Sequence, residues 1–240
     1  MSQLHRFYVP ALTQHAANAQ LPDDELHHVL HVVRVRAGDW VRLFDGSGVY
    51  ADAQVAATTK RELKLEIGPL HRDPEPTARL TLAQAWLNHA HATETLIRRG
   101  TELGVDEFIF FKAEHSEKSP KANDKWTRMA IESCKQCGRN RLPVFRTAKN
   151  IGEILLERPA RLIVATQAID PKPVGETLAG AMDVTLLIGP EGDFTANELG
   201  ALLEAGAHPV SLGSLTLRAE VAAMTALAIV QHYRGHLGPK

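Results

Sequence analysis

Cysteine is scarce, with two in 240 residues. That excludes a disulfide-stapled scaffold and points to a reducing compartment. No apolar run approaches the roughly 20 residues that a bilayer-spanning helix needs. The opening ten residues carry no basic stretch followed by an apolar core, so the expectation is no signal peptide, a cytoplasmic location and no membrane partner. Neither sign of charge dominates: 27 Lys and Arg against 28 Asp and Glu leave a net charge of -1, with the 12 His counted as neutral. A globally basic nucleic-acid binder is thereby excluded, and any such contact must come from a local patch. The phosphate-loop order Gly-x-x-x-x-Gly-Lys-Ser/Thr is missing, as is Gly-x-Gly-x-x-Gly. Metal ligands are equally sparse. Cys134 and Cys137 form a single C-x-x-C without a second pair, and His27, His28 and His31 lack a completing ligand, so no metal site is expected.

What is present is the balance of a globular protein, 44% hydrophobic and 23% charged. Two regimes follow one another. Residues 1–72 read mostly as short strands: Trp40 to Asp45 alternates, Asp45-Gly46-Ser47-Gly48 is a turn signal, Val49 to Val55 alternates again, and Arg61 to Ile67 is a further strand. One helix interrupts them, with Pro22 in its first turn and Leu26, Val29, Leu30 and Val33 at helical spacing. A small barrel with one helix is expected, and the polar, proline-punctuated run from His71 to Pro76 is the natural linker. From 73 to 240 the period changes. Strands are expected at Arg79–Trp86, Glu107–Phe111, Arg161–Thr166, Val184–Ile188 and His208–Leu212, with helices at His89–Leu103 and Asn123–Cys137. Strands alternating with helices imply an α/β fold with a mainly parallel sheet covered on both faces.

Three strand ends carry the candidate chemistry: Ala165-Thr166-Gln167, Ile188 through Phe194, and Ser211 through Arg218. In a parallel sheet the crevice beyond the carboxyl ends is where ligands bind. Thr195 and Glu198 form a capping-box signature, which makes Gly189 to Phe194 a strand-to-helix loop. A tight structural turn explains Gly189-Pro190-Glu191-Gly192 equally well on spacing alone, and Arg218 with Glu220 fits a surface ion pair as well as a site. The local basic patch lies between His115 and Arg146, where Lys118, Lys121, Lys125, Arg128, Lys135, Arg139, Arg141 and Arg146 outnumber three acidic residues. A solvated helix face is its plainer explanation.

Taken together, certain motifs in order are more specific than any one alone. They are His28 with Arg34-Val35-Arg36-Ala37-Gly38-Asp39, Thr101-Glu102-Leu103-Gly104-Val105, Gln136 through Pro143, Leu187 through Gly192, and Leu212-Gly213 through Leu217-Arg218-Ala219-Glu220. The set resembles the RsmE family, small-subunit (16S) ribosomal RNA uridine-N3 methyltransferases of the SPOUT superfamily. The resemblance implies a SPOUT methyltransferase domain with a C-terminal deep trefoil knot, preceded by a small PUA-like β-barrel. It implies a homodimer, S-adenosyl-L-methionine as cofactor, and 16S rRNA or the small ribosomal subunit as partner. Cofactor contacts are expected from Thr166, Leu187, Gly189, Glu191, Gly192, Ser211, Leu212, Gly213 and Leu217. Catalytic roles are expected for Arg218, Glu220 and Glu191, and RNA contacts for Arg6, Arg34, Arg36, Lys118, Arg139 and Arg141. Four positions depart from the family pattern: Asp193 for glycine, Ser214 for a basic residue, Val221 for threonine and Asn88 for lysine. Two other functions stay open here: a different SPOUT methylation, on ribose 2'-O or guanine N1, and a non-catalytic RNA-binding protein of the same fold.

Overall fold

A computed structural model gives the fold and describes residues 4–10, 12, 26, 35–59, 62–167, 171–178 and 183–237. The expected helix around Pro22 to Val33 falls outside the described residues, apart from Leu26. The chain divides into two compact units, Met1–Glu75 with Ile131–Leu142, and Pro76–Ala130 with Pro143–Lys240.

The first unit is built on a sheet of five strands. β1 (His5–Tyr8) runs parallel to β2 (Trp40–Phe44), which pairs antiparallel with β3 (Val49–Thr58). β3 in turn pairs antiparallel with β4 (Leu63–Ile67) and β5 (His71–Arg72). Alternation decides the inward face: Val49, Ala51, Ala53 and Val55 of β3 are buried, and they pack with Phe7, Val41, Leu43 and Leu65. The β2–β3 turn forms as the residues dictate. The Asp45 carboxylate accepts from the Ser47 amide at 2.7 Å and the Val49 amide at 3.2 Å, in the manner of an Asx turn.

The second unit holds seven parallel strands. They are β6 (Leu80–Ala85), β7 (Glu107–Phe111), β8 (Val144–Ala148), β9 (Leu162–Ala165), β10 (Lys172–Pro173), β11 (Val184–Ile188) and β12 (His208–Ser211). The spatial order is β10-β12-β9-β11-β6-β7-β8. Helices α1 (Ala90–Glu102), α2 (Lys125–Cys137), α3 (Ile151–Leu155), α4 (Val174–Thr177), α5 (Ala196–Glu204) and α6 (Ala219–Tyr233) connect or follow them. β6 and β11 are buried along their whole length, as strands in the middle of a doubly covered sheet are. Their side chains divide between two cores. Leu80 and Leu82 pack with Leu96 and Ile97 of α1 and Leu227 and Val230 of α6. Ala83 and Ala85 pack with Ile154 of α3 and Leu199 and Leu202 of α5.

Candidate active site

β9 pairs with both β11 and β12, so three parallel strands end side by side. The chain reaches β11 on one side of β9 and β12 on the other. That makes the β9 end a switch point in strand order, the place where open α/β sheets bind ligands. The loops leaving the three strands line one open cleft. Ala165, Thr166 and Gln167 come from the first loop, and Ile188 to Glu191 with Asp193 from the second. Leu212 and Leu215 to Leu217 come from the third, with Ala219 and Ala222 of α6 behind them.

Each loop is held by its own contacts. The Gln167 amide Nε2 donates to the Leu215 carbonyl at 3.2 Å, and its Oε1 accepts from the Thr216 hydroxyl at 3.4 Å, stitching the first loop to the third. In the second loop the Asp193 amide donates to the Pro190 carbonyl at 3.0 Å, closing a turn. Asp193 sits at φ 58, a left-handed conformation that Asp tolerates better than most residues. Its carboxylate accepts from the Phe194 amide at 2.8 Å. His115 Nδ1 lies 2.9 Å from the carbonyls of both Gly192 and Asp193, and these two acceptors hold the imidazole pKa above its ordinary value, the Asp193 carbonyl most. Thr195 and Glu198 complete both halves of the capping box that starts α5. The Glu191 carboxylate accepts from the Asn88 amide at 3.0 Å, which orients it at the lip. In the third loop Gly213 stands at φ 119, and its amide donates to the Ser211 hydroxyl at 3.2 Å.

Known proteins match this chain along most of its length. The family pattern described as an RNA methyltransferase domain covers residues 73–231, and that of an RNA methyltransferase PUA domain covers 21–68. Ribosomal RNA small subunit methyltransferase E of Mycobacterium bovis is 30% identical, over 93% of this chain and 90% of its own. The chain belongs to the ribosomal RNA small subunit methyltransferase E (RsmE) family. The relative of the same name from Rickettsia conorii is 27% identical over 97% of each chain. The crystal structure of the Neisseria gonorrhoeae family member bound to S-adenosyl methionine superimposes with a TM-score of 0.81 at 28% identity, over 96% of this chain and 98% of that one.

The RsmE motifs fall on the cleft unevenly. Thr166, Gly189, Glu191, Leu212 and Leu217 line it. Ser211 and Gly213 flank Leu212 in the third loop, and Gly192 sits against His115 in the second, all three outside the wall. The Leu187 side chain is fully buried in the core with Ala83 and Leu199 and supports the strand from beneath. Arg218 is exposed and stands at the N-cap of α6, one residue past Leu217; Glu220 lies in the first turn of that helix. Among the departures from the RsmE pattern, Asp193 lines the cleft and Asn88 contributes only its backbone amide to Glu191. Sequence reasoning missed the stitching role of Gln167, His115, and Gln84 of β6, whose Nε2 donates to the Gly189 carbonyl at 3.0 Å. All three act through side-chain amides or a ring nitrogen that spacing does not reveal.

The expected RNA-binding set needs correction. Arg6 is buried: its guanidinium donates to the Arg139 carbonyl at 3.2 Å and to the Asn140 side chain, and it lies 5.2 Å from the Phe44 ring centroid. Arg141 donates to the Ser47 carbonyl at 2.6 Å, the Asp73 carbonyl at 3.2 Å and Glu75 at 2.8 Å. Asn140 adds a bond to Asp73 at 3.0 Å. The stretch from Arg139 to Arg141 therefore clamps the first unit together. A guanidinium directed at internal acceptors is poorly placed to meet phosphate. Lys135 and Arg146 are also spent, on Glu132 at 2.9 Å and on Glu107 and Glu157 at 2.6 and 2.5 Å. Lys118, Lys121, Lys125 and Arg128 remain exposed on the second unit, as does Arg36 on the first; Arg139 is half-buried. Arg34 lies outside the described residues. Arg6→Ala is expected to lower stability by about 2–3 kcal/mol, because it removes charge-assisted hydrogen bonds and leaves buried acceptors unpaired. The salt dependence of RNA binding should stay unchanged. Thermal unfolding and a salt titration check the two halves of this prediction, and a flatter salt slope with intact stability would contradict it.

Proposed function

We propose that this chain methylates N3 of a uridine in the 16S rRNA of the small ribosomal subunit, using S-adenosyl-L-methionine. The observation that carries the reading is the single cleft built by the β9, β11 and β12 loops in a chain of the RsmE family. The residues present fit the cofactor. Ile188, Leu212 and Leu217 offer apolar surface for an adenine ring, and the Glu191 and Asp193 carboxylates at the lip suit a cationic sulfur. When bound, S-adenosylmethionine supplies a methyl group already activated by its sulfonium. The protein's task is then to orient two reactants and to stabilise the uridine base as it loses its N3 proton. Arg218 is the residue for that second task. A cation at a helix N-terminus opposes the helix dipole and brings no benefit to the helix itself. It does place a positive charge one residue past Leu217 of the cleft wall, where it would favour an anionic base. Glu191, oriented by Asn88, and Glu220 are the candidate proton acceptors.

The same reading takes the first unit as a PUA-like barrel, the segment from β9 to β12 as part of a deep trefoil knot, and the working form as a homodimer. α6 supports the last point, being apolar on nearly every side. Val221 is 38% exposed there, and Leu215 just before it is 76% exposed. Lys118 and Arg36 are the exposed cations that would meet phosphate in this reading. Incubating the purified protein with unmodified small subunits and methyl-labelled cofactor, then mapping the label, tests the function. Label on N3 of one uridine in 16S rRNA is expected. Label on a ribose hydroxyl or a guanine, or no label, would overturn it.

A further inference from the structure

We infer that Gln84 is a positioning residue whose buried amide sets the shape of the second cofactor loop, an inference that rests on the cofactor reading given above. Gln84 lies in β6, between β11 and β7, and is completely buried. By strand alternation it shares a face with Leu80 and Leu82, whose side chains pack into an apolar core. An apolar residue would suit that position. Gln84 instead directs Nε2 at the Gly189 carbonyl, 3.0 Å away, at the Ala85 carbonyl, 3.1 Å away, and more distantly at the Ile188 carbonyl, 3.4 Å away. The pairing of β11 with β6 ends at Ile188 opposite Gln84. Beyond that point the Gly189 carbonyl has left the strand ladder, and a buried carbonyl without a donor is costly. Gln84 supplies the donor.

The consequence reaches the cleft because of the next residue. Pro190 has no amide hydrogen and a fixed φ, so the plane of the Gly189–Pro190 peptide sets the course of the chain that follows. That chain carries Glu191 and Asp193, both on the cleft wall, as are Gly189 and Pro190 themselves. Holding one carbonyl from beneath therefore places four wall residues. The arrangement has a cost: Gln84 Oε1 is buried and has no hydrogen-bond partner among the described residues. A residue kept for packing alone would avoid that penalty, since an apolar side chain of similar volume buries no polar atom of its own.

The test uses the full-length protein with Gln84→Met and Gln84→Glu. Binding of S-adenosylmethionine is measured by calorimetry, and KM for cofactor and kcat by steady-state kinetics. Gln84→Met is expected to raise the cofactor Kd and KM by about tenfold or more, the worth of one well-placed hydrogen bond. Its kcat at saturating cofactor should fall by a smaller factor than kcat/KM, because the loop that shifts carries Glu191 as well as the cofactor wall. Gln84→Glu keeps one donor when its buried carboxyl is protonated, and should fall between the two. Thr81→Val removes a buried hydroxyl near the other end of β6 and should leave the cofactor Kd unchanged. A folded Gln84→Met protein with parental cofactor affinity would overturn the inference. So would an equal loss in Thr81→Val, because any disturbance of β6 would then suffice. Should Gln84→Met fail to fold, Gln84→Glu decides in the same way: weakened binding supports the role and parental binding overturns it. A parent protein that binds no S-adenosylmethionine would instead overturn the cofactor reading itself.

Discussion

Arg218→Ala is expected to lower kcat by about 10²- to 10³-fold, the usual loss when one preorganised stabiliser of developing charge is removed. The Kd for S-adenosylmethionine should hardly change. Arg218 is exposed at the N-cap of α6 and lies outside the cleft wall, whose nearest members are Leu217 and Ala219. Its removal leaves those wall residues in place. Stability should be unchanged or slightly raised, because a positive charge at a helix N-terminus works against the helix dipole. Loss of turnover without loss of fold or cofactor affinity is the signature of a group that acts on the other reactant. Arg218→Lys should recover part of the rate, since charge returns without the planar fork. Parental turnover in Arg218→Ala would remove this residue from the reaction, and an equal loss of cofactor affinity would move it into the cofactor site.

Gly213→Val should act on the opposite half of the reaction, weakening S-adenosylmethionine binding by about 10- to 100-fold, as displacements of roughly an ångström in a site do. Gly213 has open space around it, so no clash with neighbours is involved. The cause is the backbone. At φ 119 a β-branched residue is strongly disfavoured, and the strain is relieved only by moving the chain. The residues that move with it include Leu212 and Leu215, which line the cleft. Global stability should drop modestly, because the loop is exposed and strained positions cost roughly 1–3 kcal/mol. Calorimetric titration with the cofactor reads the effect. Unchanged affinity would mean that the third loop adapts freely and does not shape the pocket.

The sheet was legible because its strands obey simple rules. Glu107–Phe111 and Val184–Ile188 form as read from the residues, since both are short apolar runs between turn signals. The start of α5 was equally clear, for a capping box is a local device and needs no tertiary context. β8 was not read as a strand. It is an edge strand with Val144 exposed and only Ala148 buried, so it lacks a period. Gln84 was invisible for the opposite reason. Alternation puts it on one face with Leu80 and Leu82, but only the pairing of β6 with β11 shows the carbonyl that its side chain serves. The three loops were located as strand ends, but their meeting in one cleft depends on the order β12-β9-β11, which local patterns do not encode. The arginines at 6 and 141 were misread because formal charge suggests a solvated surface, whereas a guanidinium with a carbonyl or carboxylate partner is readily held inside.

β9 has a peculiar place in the order of synthesis. Both of its neighbours in the sheet are translated after it. While the chain emerges from a ribosome, this strand waits with two bare edges until β11 and then β12 arrive, a state prone to wrong pairing. The cleft lined by the three loops and by α6 is therefore complete only when nearly the last helix has been made.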